Sequence, residues 1–499
     1  MREDWEESTL GEICNVNMGQ SPPSSTYNTE GVGLPFFQGK AEFTDLYPTV
    51  KKWCSEPKKV AKENDILLSV RAPVGSTNMS NQECAIGRGL AAITYSHSTQ
   101  FVWYFLKLIE KELDSQGTGT TFRAISGNIL RSQIFPLAPL PEQRAIVAKI
   151  EELFSDLDKG IADLKRAQAQ LKVYRQAVLK KAFEGELTKA WREQQTNLPT
   201  ADTLLEQIKE ERQKHYEQQL EHWKQAVKAW EENGKEGKKP SKPKIIKALP
   251  ALTKDELESL PTLNKFWKWS TIDNIAGHEA SSLKAGPFGS SLKKSFYTEI
   301  GYKIYGQEQV ISGDYTFGNY YVNEEKFQSL INCAIAPFDI LISLVGTVGK
   351  VLVLPEDCEK GIINPRLVKV TLNRFYEPVF FKYYFESSFL KSLYKLKNHG
   401  TTMDVLNLGS IKELPYPICS KGEQNQIVQE IESRLSVCDK VEQSITESLN
   451  KAQALRQSIL KKAFAGDLLS KEALAACKAA PDYEPASVLL AKIKAEKKI

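Results

Sequence analysis

The chain lacks most of what would mark it as an enzyme, a membrane protein or a secreted protein. It has no apolar run of about 18 residues, so no membrane-spanning helix is expected. Its start, MREDWEESTL, is acidic and has no apolar core, so no secretory leader is expected there. Eight cysteines are scattered with no Cys-x-x-Cys pair. They read as reduced, mostly buried thiols of a cytoplasmic protein. The five histidines, His97, His215, His222, His278 and His399, form no metal-ligand set. His215 and His222 lie on a charged helical stretch and read as a solvated face. GTVGKV (346–351) has neither the spacing nor the hydroxyl of a phosphate-binding loop. No Gly-rich turn follows a strand and opens a helix, as a dinucleotide site requires. Ser21-Pro22-Pro23-Ser24 lacks the aromatic that ends the base-clamping loop of amino-methyltransferases. Pro481-Asp482 has no acidic-x-Lys beside it, so a nuclease core is unsupported. The net charge is only +4, so any affinity for a polyanion must come from local patches.

What the chain does have is a copy of itself. Glu142–Leu187 and Glu423–Leu468 align without a gap at an offset of 281, with 18 of 46 positions identical. Both segments read as long helices. Apolar residues recur every seventh position at Ile150, Leu157, Leu164, Leu171 and Val178, and again at Ile431, Cys438, Ile445, Ala452 and Ile459. A second row lies three positions on, at Leu153, Ala167 and Tyr174 and at Val441 and Leu455. That is the seam of a coiled coil. These residues are expected to pair the two helices, each about 63 Å long, and antiparallel packing is required if the globular segments are to lie at opposite ends. Ser420 stands three before Glu423 in a capping-box pattern. A Gly two residues after the final Phe suits each C-terminus.

The globular segments before the helices repeat more weakly. DILLSVRAPVG (65–75) is answered by DILISLVGTVG (339–349), and GTTFRAISGNILRSQIFPL (119–137) by GTTMDVLNLGSIKELPYPI (400–418). GLPFFQG, DILLSVRAPVG and GLAAITY read as strands, and 101–113 as one helix. LLEQIKEER (204–212) is echoed by LLAKIKAEK (489–497). Residues 201–232 are polar and helical. Residues 233–248 hold six lysines, two glycines and two prolines and read as an exposed, flexible linker. The expected architecture is α+β: two mixed α/β domains separated by two long antiparallel coiled-coil helices, with an internal pseudo-twofold repeat. The segments are 1–138 (first domain), 139–200 (first helix), 201–261 (charged helical insert and lysine-rich linker), 262–418 (second domain) and 419–499 (second helix and tail).

A pseudo-dyad presents two similar surfaces to a partner with its own approximate dyad, and duplex DNA is such a partner. Both domains carry residues suited to it. Hydroxyls, amides and cations hold phosphates, while Gln and Arg can bridge base edges. In the first domain the candidates are Gln20, Ser21, Gln38, Lys40, Arg71, Arg88, Thr120, Thr121 and Arg123. In the second they are Phe288, Ser290, Ser291, Lys293, Lys294, Gln307, Gln309, Thr347, Lys350, Arg366, Thr401 and Thr402. Each alone is as readily a solvated loop residue, and the GTT triplets could serve only to cap a following element. Their recurrence in both halves is the stronger signal.

The long motifs GQSPPSSTYNTEGVGLPFFQGKAEF, DILLSVRAPVGSTN, AIGRGLAAI and GTTFRAISGNILRSQIFPLAPLPEQRAIV, with GTTMDVLNLGSIKELPYPI and EQNQIVQEIE, resemble the specificity subunits of type I restriction–modification systems over essentially the full length. The resemblance implies two target-recognition domains, each reading one half of a bipartite DNA target. It implies spacer helices that set the gap and dock two methyltransferase subunits, with two motor-nuclease subunits in the full complex. It also implies no catalytic centre and no cofactor in this chain. S-adenosylmethionine, ATP and magnesium belong to the partners. The chain departs from the family's simplest form in its long insert, 201–261. Two other readings compete with this one. A fused methyltransferase is opposed by the missing cofactor loop. A coiled-coil scaffold for protein partners is separated from DNA recognition only by the family motifs.

Overall fold

The computed structural model describes residues 2–119, 123–245, 249–397 and 406–497. It divides into two compact units, Met1–Ala167 with Ser444–Ile499, and Gln168–Gln443. The division cuts both long helices, Leu140–Phe183 and Lys421–Ala465.

Each unit is a mixed α/β body closed by its own first and last strands. In the first, Glu6–Thr9 pairs antiparallel with Ile134–Leu137. A four-stranded antiparallel sheet comes next, in the order Asn15–Met18, Leu90–Thr94, Ile66–Ser69, Thr77–Met79. A second sheet contains Leu34–Phe37 parallel to Cys84–Ile86. In the second unit, Lys268–Thr271 pairs with Pro415–Ile418. The four-stranded order is Leu283–Ala285, Leu367–Val370, Ile340–Ser343, Val351–Val353, and Tyr302–Tyr305 runs parallel to Gly361–Ile363. The order of the four-stranded sheet is thus the same in both, while among the described residues the second sheets have five strands and three. Ile66–Ser69 and Ile340–Ser343 are buried at every position, as the apolar DILLS and DILIS runs require of central strands. Their aspartates act alike: Asp65 accepts from the Lys62 amide and Asp339 from the Ala336 amide, both at 2.8 Å.

Two expectations change in detail. The stretch 101–113 is two helices, Thr99–Leu108 and Glu110–Ser115, because Ile109 leaves helical geometry at φ −91°, ψ 6°. The stretch 233–245 has no regular structure but is tied to the helix Ala201–Glu232. The Trp223 indole donates to the Pro240 carbonyl (3.0 Å) and Trp230 to Gly237 (3.2 Å).

The tail of each long helix ends as the sequence suggests. Gly185 and Gly466 adopt left-handed φ values of 75° and 85°. The next amides, Glu186 and Asp467, bond back to Lys181 and Lys462, the Schellman pattern. The docking of the segments beyond these turns was not legible. The echoed segments fill equivalent places: Leu204 and Ile208 enter the second unit's core, Leu489 and Ile493 the first's. Arg212 donates to the carbonyls of Asp273, Asn274 and Ala276, capping the helix Ile272–Ile275. Lys497 does the same for Gly11, Glu12 and Cys14 after Leu10–Ile13. Each core is therefore finished by the segment that lies beyond the other copy's domain and helix.

All eight cysteines are free thiols. Among the described residues no helix is long and apolar enough to cross a membrane, and no cluster of His, Cys, Asp or Glu could hold a metal ion. His215 is not on a solvated face: it lies 2.9 Å from Glu279 with its ring 5.8 Å from His278, at the docked base of its helix. His222 is exposed.

Candidate nucleic-acid interface

Strand ends converge at one edge of each domain. In the first, Asn15–Met18, Leu34–Phe37, Ile66–Ser69 and Cys84–Ile86 all deliver loops there. The Gln20 amide bonds to the Ile86 carbonyl (3.1 Å), the Gly87 amide to Phe37 (2.8 Å), Val70 to Gly89 (2.9 Å) and Ala72 to Arg123 (2.9 Å). Gly19 is obligatory, since a Cβ would lie 2.2 Å from the Gly87 carbonyl oxygen. On this frame Gln20, Gln38, Lys40, Arg71, Arg88 and Arg123 are exposed. Ser21 is half-buried, because its hydroxyl accepts from the Arg88 amide (3.2 Å) and so fixes the arginine's turn. Tyr27, stacked on Phe36, donates to the Pro22 carbonyl at 2.8 Å. Burial raises its phenol pKa, with the Arg88 charge opposing.

The second domain builds the same edge. The Gly286 amide bonds to Leu367 (2.9 Å), Asn364 to Tyr305 (2.9 Å) and Leu344 to Arg366 (3.0 Å). Gly286 plays the part of Gly19, since a Cβ there would sit 1.8 Å from the Asn364 carbonyl oxygen. Phe288, Ser290, Ser291, Lys293, Lys294, Thr347, Lys350 and Arg366 are exposed. Arg88 and Arg366 stand on the same turn, one position apart, because Gly87 and Asn364 each accept from the leucine three residues on.

Two candidates are corrected. Gln307 is buried and its amide donates to Ser343 Oγ (2.7 Å) and to the Val345 carbonyl. Gln309 is 1% exposed, accepts from the Gly306 amide (2.9 Å) and donates to the Phe317 carbonyl (2.7 Å). Both amides are used inside the domain, so they shape the edge rather than present it. Thr120, Thr121, Thr401 and Thr402 lie outside the described residues. Asn364 was missed. Its side chain accepts from the Arg366 amide at 2.9 Å and sets the turn. The only trace of it in the sequence is the weak likeness of INPRL to IGRGL.

On the long helices, Ile150, Val178, Ile431, Cys438, Ile445, Ala452 and Ile459 are buried, and Leu157, Leu164 and Leu171 half-buried. The companion row holds at Leu153 and Ala167, which are half-buried, and differs from expectation at the other three positions. Tyr174, Val441 and Leu455 are 46%, 42% and 50% exposed. The half-buried or buried companions lie four positions on, at Phe154, Ile161, Gln168, Arg175 and Ala182, and at Leu435, Glu442, Leu449, Arg456 and Ala463. Several are charged, which hid the row from a search for apolar residues. Within the first unit Arg456 pairs with Asp158. Within the second Arg175 pairs with Asp439 (2.6 Å) and Glu442 (3.0 Å). The helix starts repeat a buried carboxylate. Glu142 accepts from the Trp5 indole and Glu423 from the Trp267 indole, both at 2.9 Å. Glu423 also holds Arg192 (2.8 Å) and Thr188 (2.9 Å). The capping box at Ser420 is therefore one-sided: Ser420 accepts from the Glu423 amide, but the carboxylate turns to the domain.

Residues 2–166 match the family described as "Type I restriction modification DNA specificity domain". The chain is 23% identical to the type I restriction enzyme EcoDI specificity subunit of Escherichia coli, covering 99% of this chain and 95% of that one. It is 45% identical over 156 residues to the putative type I restriction enzyme MjaX specificity subunit of Methanocaldococcus jannaschii. That match covers 30% of this chain and spans 37% of the relative's length. The HsdS subunit crystal structure from Thermoanaerobacter tengcongensis is 49% identical over 37% of this chain and 46% of that one, with a TM-score of 0.31. Residues 2–166 thus carry the likeness to a DNA specificity domain of restriction–modification systems. Over its full length the chain is similar, at 20–23% identity, to type I restriction enzyme specificity subunits.

Proposed function

We propose that the protein selects the DNA sequence on which a type I restriction–modification complex acts, each domain reading one half of a bipartite target. The observation that carries this reading is the edge built twice: in each domain a four-stranded sheet of the same strand order delivers its loops to a rim, and both rims expose cations, beside amides on the first and hydroxyls on the second. Such groups position a duplex through its phosphates and read bases where a Gln or Arg reaches the groove. The rims differ in the side chains they carry, which is what two unlike half-sites require.

The long helices pair antiparallel in this reading, set the spacing between half-sites and dock two methyltransferase subunits. Two motor-nuclease subunits join in the full complex. The chain itself catalyses nothing. S-adenosylmethionine, ATP and magnesium are held by the partners, and the complex works in the cytoplasm. The test is a domain exchange. Residues 262–418 are replaced by the matching segment of a relative, and the methylated sites of the host are mapped. One half-site changes and the other stays. If both change, or neither does, the modular reading is wrong.

A further inference from the structure

The two rims are not equivalent at one position. Phe288 is 89% exposed, the highest value among the large apolar side chains of the described residues. Its loop is nevertheless held firmly. Pro287 and Leu292 are buried on either side, Leu292 in the core with Ile304 and Val310. The Ser291 amide closes on the Phe288 carbonyl at 2.7 Å, and Gly286 is locked against Asn364. The ring is therefore presented by a fixed turn. Counting on from the matched glycines, Gly19 and Gly286, the first domain has Ser21 in this place, turned inward to the Arg88 amide. Around the ring, Ser290, Ser291, Lys293 and Lys294 are exposed. An apolar ring set among cations and hydroxyls matches a surface that is anionic outside and aromatic within, as stacked base pairs are.

We propose that Phe288 is a base-stacking wedge. On DNA binding its ring enters one base step of the half-site read by residues 262–418 and partly unstacks it, while Lys293 and Lys294 hold the flanking phosphates. This rests on the reading that the rim meets DNA. Half-site recognition by the second domain then includes the deformability of one step, and recognition by the first does not.

The experiment uses the full chain assembled with its methyltransferase subunits, and target duplexes carrying 2-aminopurine at successive positions. With the bases that the methyltransferase subunits themselves extrude left unlabelled, the native complex raises fluorescence at one step, in one half-site only. Phe288→Ala abolishes that rise and weakens target binding tenfold or more, leaving affinity for unrelated DNA unchanged. Phe288→Trp retains both. Unchanged thermal unfolding of Phe288→Ala confirms that the fold is intact. The proposal is overturned if Phe288→Ala keeps the fluorescence rise or binds the target within twofold of native. It is also overturned if the native complex gives no rise and replacing one thymine by deoxyuridine reproduces the loss, since the ring then only touches a methyl group. Failure of the DNA reading itself looks different: Arg71→Ala and Lys293→Gln would then leave all DNA binding unchanged as well.

Discussion

The Trp267 indole and the Glu423 carboxylate meet at 2.9 Å in the interior, and the same carboxylate takes the Arg192 guanidinium at 2.8 Å. Glu423 is 1% and Arg192 8% exposed. Removing the carboxylate strands three buried donors. Glu423→Ala should lose about 3–5 kcal/mol of stability, as the breaking of a buried ion pair does. Glu142→Ala should lose less, about 1–3 kcal/mol, because its cation Arg2 is half-buried and reaches solvent. Urea unfolding of both variants tests the order, and a smaller loss at Glu423 would contradict it.

Asp158 pairs with Arg456, and Arg175 with Asp439, the two steps being 17 residues in opposite directions along the chain. Cysteines placed at 158 and 456, or at 175 and 439, should crosslink readily within one chain under mild oxidation. Cysteines at 158 and 439 should not. Crosslinking of the last pair in a monomer would show the helices parallel.

Arg212 holds three carbonyls at the end of Ile272–Ile275. Arg212→Ala should cost about 1–3 kcal/mol, the range for leaving buried acceptors unsatisfied. Faster hydrogen exchange should be confined to the amides around 204–212 and 272–277. Exchange unchanged there would mean the segment docks through Leu204 and Ile208 alone.

The exposed cations separate by role. If Arg71 reads a base, Arg71→Ala should cost about 1–3 kcal/mol at one position of one half-site; if it holds a phosphate, binding to all sequences should fall and the salt slope flatten by about one. Titrations at several salt concentrations distinguish these. No change in either would remove Arg71 from the interface.

Purified alone, the chain should transfer no methyl group to DNA. Transfer should appear when the methyltransferase partner and S-adenosylmethionine are added, and a labelled-methyl assay reads it directly. Methylation by the isolated chain would end the non-catalytic reading.

The repeat and the regular elements were legible because they rest on local pattern. Leu140–Phe183 and Ala201–Glu232 fall where seven-residue spacing and composition put them. Ile66–Ser69 falls where a short apolar run between turn residues puts it. The companion row on the long helices was read rightly at Leu153 and Ala167 and misread at Tyr174, Val441 and Leu455, because Arg175, Glu442 and Arg456 can bury their stems while their charges pair, so apolarity alone did not mark them. Gln307 and Gln309 were misassigned for a related reason. An amide suited to a base edge is equally suited to a backbone carbonyl, and only the folded loop decides between them. Trp5, Trp267, Glu142 and Glu423 could be seen as repeats, but not as partners, because their contact is made across more than a hundred residues.

The crossed completion of the two cores has a consequence for dissection of the chain. A cut within 233–245 should yield no self-sufficient fragment, because the piece 1–232 lacks Leu489 and Ile493, and Ile459 and Phe464 of the second long helix, which its core takes from the end of the chain. It does carry Leu204 and Ile208 on the matching segment. Two copies of 1–232 can therefore lend each other that segment, so the fragment should be found as a homodimer with two identical rims. By the same topology, joining residue 497 to residue 2 and opening the chain between Glu232 and Lys244 should give a circular permutant that keeps both cores intact.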